Sequence, residues 1–120
     1  MAGKGHRMKL ISRQQDGVII VDFSGRATDT DGALRDAIAL LIDGGHRRIV
    51  FNFENLEYLD STALGELVAC QLRTIRAGAS LKLANAGRRI NDLLMTTRLI
   101  TVFDAYESVA AALKSYAQET

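Results

Sequence analysis

A chain of 120 residues and 13.1 kDa is long enough for one domain with a real core and too short for two. Hydrophobic residues make up 48% and charged residues 24%, a globular composition that argues against disorder. Lys plus Arg is 15 and Asp plus Glu 14, a net charge of +1 that lacks the basic excess of a dedicated DNA binder.

Residues 1–7 (MAGKGHR) are small and basic and read as a flexible N-terminus, with the domain expected over 8–117. The same stretch has charge but no apolar core of a secretory signal. Residues 8–12 are apolar-rich, Asp16-Gly17 is a hairpin turn signal, and residues 18–23 are a continuous β-branched run, which predicts an antiparallel pair. Ser24-Gly25 breaks the second strand, and residues 28–31 offer several N-cap side chains. Leu34, Ile38, Leu41 and Ile42 then recur at helical spacing until Gly44-Gly45. Residues 48–53 form the next strand, with Ile49, Phe51 and Phe53 on one face, and residues 55–60 a short loop. A second helix is expected from Ser61 to Gly78, burying Leu64, Leu67, Val68, Leu72 and Ile75. Residues 80–84 are a strand, 88–97 a third helix through Ile90, Leu93 and Leu94, and 100–103 a last strand. Residues 107–118 close the chain as a helix with Val109, Leu113 and Tyr116 inward.

The order β-β-α-β-α-β-α-β-α predicts an α/β fold: a mixed, mostly parallel sheet with an N-terminal antiparallel hairpin, right-handed crossovers, and helices mainly on one face. The longest apolar run, residues 37–42, is too short to insert into a membrane. Cys70 is the only cysteine, which excludes an intramolecular disulfide and a cysteine zinc cage and fits a reducing, cytoplasmic compartment.

In an open α/β sheet the working loops lie beyond the carboxyl ends of the strands. Here these are residues 23–31 (FSGRATDTD) and 55–61 (NLEYLDS). Ser61 stands where an N-cap belongs, and a plain cap there contributes ~1 kcal/mol. The same position suits a phosphoacceptor, because a phosphate would face free amides and the positive end of the helix dipole. It would add about 1.5 to 2 negative charges beside Asp60. Thr62, Glu66, Ala69, Arg73 and Arg76 fall on one stripe of that helix, either a solvated face or a partner surface. Cys70 near its edge reads as a half-buried thiol, and Tyr58 and Tyr106 as partial-core rings. A hydrolase using Ser61 and His46 lacks the Gly-x-Ser-x-Gly elbow, and His46 precedes its strand, at the opposite edge of the sheet. His6 and His46 make no metal motif, and neither a phosphate loop nor a dinucleotide fingerprint is present, so no metal, cofactor or catalytic residue is expected.

The octapeptide Tyr58-Leu59-Asp60-Ser61-Thr62-Ala63-Leu64-Gly65 resembles the signature of STAS domains, Asp-Ser-Ser-Gly-Leu-Gly after a strand. Gly78-Ala79-Ser80-Leu81-Lys82-Leu83-Ala84-Asn85 is similar to the family's Gly-x-x-Leu-x-Leu-x-Asn. Leu93-Leu94 to Val102-Phe103, then Glu107-Ser108-Val109-Ala110-Ala111-Ala112-Leu113, is similar to its closing strand and helix, so the resemblance spans roughly residues 8–117. It implies a STAS domain of the anti-sigma-factor-antagonist type, a bacterial, cytoplasmic phosphoprotein that regulates transcription by partner switching. In that type the serine after Asp, matching Ser61, is phosphorylated by an anti-sigma factor that is itself a serine protein kinase. The unphosphorylated form binds the anti-sigma factor and frees the sigma factor, and a serine phosphatase resets the cycle. The resemblance further implies a phosphoacceptor pocket of Asp60, Asp29 and Thr28 and a docking surface including Thr62, Glu66, Ala69, Arg73 and Arg76. Neither DNA binding nor direct membrane insertion belongs to this role.

The sequence departs from the family pattern in three places. Thr62-Ala63 replaces Ser-Gly and leaves Thr62 as a second candidate acceptor. Gly25-Arg26-Ala27-Thr28 puts Thr where the family often has Asp, with Asp29 one place later. Thr97-Arg98-Leu99 stands where Thr-Gly-Leu is usual. Two other roles within the family remain open: a STAS subunit of an ABC-type lipid transport system docking on its ATPase, and a stressosome scaffold component. An anion-transporter tail would need a membrane segment before the domain.

Overall fold

The computed structural model describes residues 7–119. In chain order it contains β1 (Lys9–Gln15), β2 (Val18–Ala27), α1 (Ala33–Asp43), β3 (Arg48–Leu59), α2 (Ser61–Arg76), β4 (Ser80–Ala84), α3 (Gly87–Thr96), β5 (Asp104–Tyr106) and α4 (Val109–Ala117). Of the expected flexible N-terminus, residues 1–6, His6 among them, lie outside the described residues, while Arg7 bridges to Arg26. The five strands lie side by side in sequence order, β1 antiparallel to β2 and the rest parallel. The hairpin follows from its two turn residues. Asp16 and Gly17 both take positive φ, 54° and 78°, the pair of left-handed residues whose twist suits a two-residue connection.

The strand period of two sorts side chains between the faces. Ile19, Val21, Phe23, Ile49, Phe51, Phe53, Leu81 and Leu83 join the large core with Leu34 and Ile38 of α1, Leu64 and Leu67 of α2, and Ile90 and Leu94 of α3. Phe23 meets Phe51 and Phe53 edge-on, with ring centres 4.9 and 5.0 Å apart. Val18, Ile20, Val50 and Ala84 point the other way and pack on Ala112 and Tyr116 of α4. Helices α1 to α3 therefore cover one face and α4 alone part of the other. The Tyr116 hydroxyl pins α4 to the strand starts: it accepts from the Ile49 amide at 3.2 Å and lies 2.8 Å from the Ile49 carbonyl and 2.9 Å from that of Ser80. Beside it the buried Lys82 ammonium donates to Ser115 and Glu119 and sits 4.2 Å from the Tyr116 ring centre. Among the described residues no helix is long and apolar enough to cross a membrane.

The ends of β2 and β3, the last strand and the start of the final helix differ from the sequence expectation. β2 runs on to Ala27 and β3 to Leu59, so residues 24–27 and 55–59 are paired strand, with Ser24 opposite Asn55 and Ala27 opposite Leu59. Two register shifts and Gly25 at φ 83° absorb the irregularity, so Ser24-Gly25 bends the strand without ending it. The last strand is Asp104–Tyr106, paired with Lys82–Ala84, whereas residues 100–103 are turns. Their apolar character serves burial from a loop: Phe103 is in the core, and Ile100 and Val102 pack on it. The final helix starts at Val109, two residues later than expected from 107, because the Ser108 hydroxyl caps it by accepting from the Ala111 amide at 3.0 Å. Arg98, standing where glycine is usual, takes φ 63°.

Candidate functional site

The carboxyl ends of β2 and β3 run side by side, and the Asp60 amide donates to the Ala27 carbonyl at 3.1 Å. This bond brings the 28–32 loop beside the start of α2. Asp60 is extended, and its Oδ1 accepts from the Ala63 amide at 2.8 Å, while its carbonyl takes the Leu64 amide at 2.9 Å. Asp60 is thus the N-cap, where Ser61 was expected. A carboxylate at the positive end of the dipole does this better than a hydroxyl, and it leaves Ser61 as the first helical residue. Ser61 is exposed, and its hydroxyl has no hydrogen-bond partner among the described residues. Thr62 is also exposed.

The other side of the site is the 28–32 loop. Thr28 is half-buried, Asp29 exposed and Thr30 buried. Asp29, Asp31 and Gly32 take left-handed φ of 48°, 51° and 83°. Gly32 is the N-cap of α1 and supplies no side chain to cap it. The missing cap comes from α2. The Glu66 carboxylate accepts from the Gly32 amide at 3.2 Å, the Leu34 amide at 3.3 Å and the Thr30 hydroxyl. A shallow cleft between the two helix starts is lined by Asp31, Gly32, Arg35, Thr62, Gly65 and Glu66. Of the expected pocket, Asp60 and Thr28 are joined to the site through the Ala27–Asp60 backbone bond, while Asp29 and Thr28 do not line this cleft.

The expected docking stripe needs one correction. Thr62, Arg73 and Arg76 are exposed and Ala69 half-buried, but Glu66 is only 5% exposed and faces α1. The phase of α2 is rotated from the hydropathy reading. Ala63, Leu64, Leu67, Cys70, Gln71 and Thr74 are buried, whereas Leu72 and Ile75, expected inside, are 46% and 60% exposed. Among the described residues, the polar members of the buried face find partners for all but the Gln71 side-chain oxygen, which is buried without one. The Thr74 hydroxyl donates to the Cys70 carbonyl at 2.7 Å, and the Gln71 side-chain amide donates to the Val102 carbonyl at 2.9 Å. Small side chains at 63 and 70 fit a close approach to the sheet, which larger Leu72 and Ile75 would not. Cys70, expected half-buried, is fully buried; burial first, then the nearby Glu66 charge, pushes its thiol up to about 12. Tyr58 is half-buried under the Arg26 guanidinium, 4.6 Å from its ring centre, and Tyr106 is half-buried beside Ser115. His46 precedes β3 and Ser61 follows it, so the twelve residues of that strand separate them. Sequence reasoning missed Glu66 as a tertiary cap and Arg35 as a cleft residue. No local signal points to either, since their partners come from the other helix.

Known proteins are similar to this chain in sequence and in fold. BtrV of Bordetella bronchiseptica, named as an anti-sigma factor antagonist, is 28% identical over 114 residues, which is 90% of this chain and 97% of that one. A crystal structure of an anti-sigma factor antagonist from Mycobacterium paratuberculosis superposes with a TM-score of 0.80 at 22% identity, covering 92% of this chain and 94% of the other. The Bacillus cell fate determinant SpoIIAA in its phosphorylated form superposes with a TM-score of 0.66 at 16% identity, covering 86% and 96%. The family model described as the STAS domain matches residues 9–112, the whole sheet and the Asp60–Ser61 junction within it, and the chain belongs to the STAS domain family.

Proposed function

We propose that this protein is an anti-sigma factor antagonist: a binding module, not a catalyst, whose docking is switched by phosphorylation of Ser61 in the bacterial cytoplasm. The observation that carries this reading is the division of labour at the start of α2. Asp60 caps the helix, and the exposed Ser61 hydroxyl is left without a structural task. A phosphate there would meet first-turn amides and the positive end of the dipole, so the fold tolerates it. Thr62, also exposed, shares its cleft with Asp31, Arg35 and Glu66 and is the second candidate acceptor. Kinship with BtrV and the phosphorylated state of SpoIIAA support the same reading.

In this reading the unphosphorylated protein binds an anti-sigma factor that is a serine protein kinase, and a serine phosphatase reverses the modification. The docking face holds Ser61, Thr62, Ala69, Arg73 and Arg76, together with the exposed Leu72 and Ile75. Asp60 sets the acceptor geometry, and Asp29 and Thr28 border it. About 1.5 to 2 added negative charges at the centre of that face would block docking by repulsion and desolvation. The test is affinity capture from the native host with wild type, Ser61→Ala and Ser61→Asp, with the modified residue mapped by mass spectrometry. Wild type and Ser61→Ala should retain a kinase-type ATPase, and Ser61→Asp should lose it. Equal capture by both variants, or recovery of an ABC ATPase with its permease, refutes the proposal.

A further inference from the structure

We propose that Glu66 is a positioning residue, which caps α1 from α2 and thereby fixes the 28–32 loop at the rim of the Ser61 site; its functional consequence rests on the reading of that site as a docking surface. The loop has reason to need such a clamp. Two of its non-glycine residues, Asp29 and Asp31, take left-handed φ, which aspartate adopts more readily than most residues but still at a cost relative to the right-handed region. One end of the loop is tied by the Asp60 amide on the Ala27 carbonyl. The other end opens α1, whose N-cap Gly32 offers no side chain. Glu66 closes that end with three bonds to residues 32 to 36 positions away in sequence.

All three donors, two amides and a hydroxyl, are neutral. The carboxylate is therefore held by hydrogen bonds and by the amino end of α1, a favourable place for an anion. At 5% exposure it does not itself meet a partner. What a partner meets is Asp31, Gly32, Arg35, Thr62 and Gly65 around the cleft, and their relative placement is what Glu66 decides.

The experiment is residue-resolved amide hydrogen exchange by NMR on the full chain, comparing wild type with Glu66→Gln, Thr30→Val and the double variant. Glu66→Gln keeps the size of the side chain but turns one acceptor into a donor. Exchange at Gly32 and Leu34 should accelerate at least ~10-fold, while Val50 and Leu83 in the central strands change by less than ~3-fold. Thr30→Val should give a smaller acceleration, and the double variant should exchange no faster than Glu66→Gln, because the two residues share one network. Unchanged exchange at Gly32 and Leu34 would overturn the proposal, as would equal acceleration of the strand amides. A second arm measures capture of the kinase-type partner, which Glu66→Gln should weaken about tenfold. Full capture by Glu66→Gln overturns the link between loop and docking. Failure of wild type to capture any kinase refutes the docking reading alone and leaves the exchange arm to decide the positioning.

Discussion

The assignment of Asp60 as the cap of α2, with Ser61 free, yields a stability prediction that separates two neighbouring residues. Asp60→Ala removes the acceptor 2.8 Å from the Ala63 amide and the negative charge at the positive end of a 16-residue helix. Loss of an N-cap costs about 1 kcal/mol, within a range of roughly 0.5 to 2. Asp60→Asn keeps an acceptor and loses only the charge–dipole part, about 0.3 to 1 kcal/mol. Ser61→Ala removes an exposed hydroxyl without a partner and substitutes a better helix former, so its effect stays within about 0.5 kcal/mol of zero and leans toward stabilisation. The assay is urea denaturation followed by circular dichroism, with equal slopes required before midpoints are compared. At a slope of roughly 1 to 3 kcal/mol/M, Asp60→Ala should lower the midpoint by about 0.3 to 1 M. If Ser61→Ala shows that loss while Asp60→Ala is silent, the hydroxyl is the cap. The hydroxyl is then not free to carry a phosphate.

Other consequences of the structure are equally open to measurement. Replacing the buried Lys82 with Met should leave stability within about 1 kcal/mol of wild type or raise it, since an apolar side chain of similar shape removes the desolvation cost of the ammonium. Glu119→Ala, which strands that ammonium against Ser115 and the tyrosine rings, should cost about 1 to 3 kcal/mol, and a thermal scan of both variants exposes the asymmetry. Tyr116→Phe removes the acceptor of the buried Ile49 amide and should cost about 1 to 3 kcal/mol, read as a lower urea midpoint. Cys70 should resist an aromatic disulfide reagent in the native protein and react only on unfolding. Burial raises both the Cys70 thiol, ordinarily 9.0, and the Tyr116 phenol, ordinarily 10.0, to about 12. The native state therefore holds protons that the unfolded chain releases. Their contribution is whole below pH 9 and is lost as pH rises from 9 toward 12, so the urea midpoint should fall over that interval, and less steeply in Cys70→Ala.

The amino-acid sequence by itself determined the element order, the hairpin at Asp16-Gly17 and the strand faces, because each rests on neighbours within a few residues: two left-handed turn positions, a period of two in Ile49, Phe51 and Phe53, and a helix stop at Gly44-Gly45. It also brought Asp60 and Ser61 to the helix start but assigned the cap to Ser61, one position late. The tertiary structure alone decided the rest. Hydropathy placed Leu72 and Ile75 inside and Glu66 outside, and the fold did the reverse. A carboxylate can be buried only where donors await it, and those donors, the amides of Gly32 and Leu34 and the hydroxyl of Thr30, belong to another helix start more than 30 residues away. Local pattern records what a side chain prefers in water, whereas the phase of α2 was set by what the packed interior offered it.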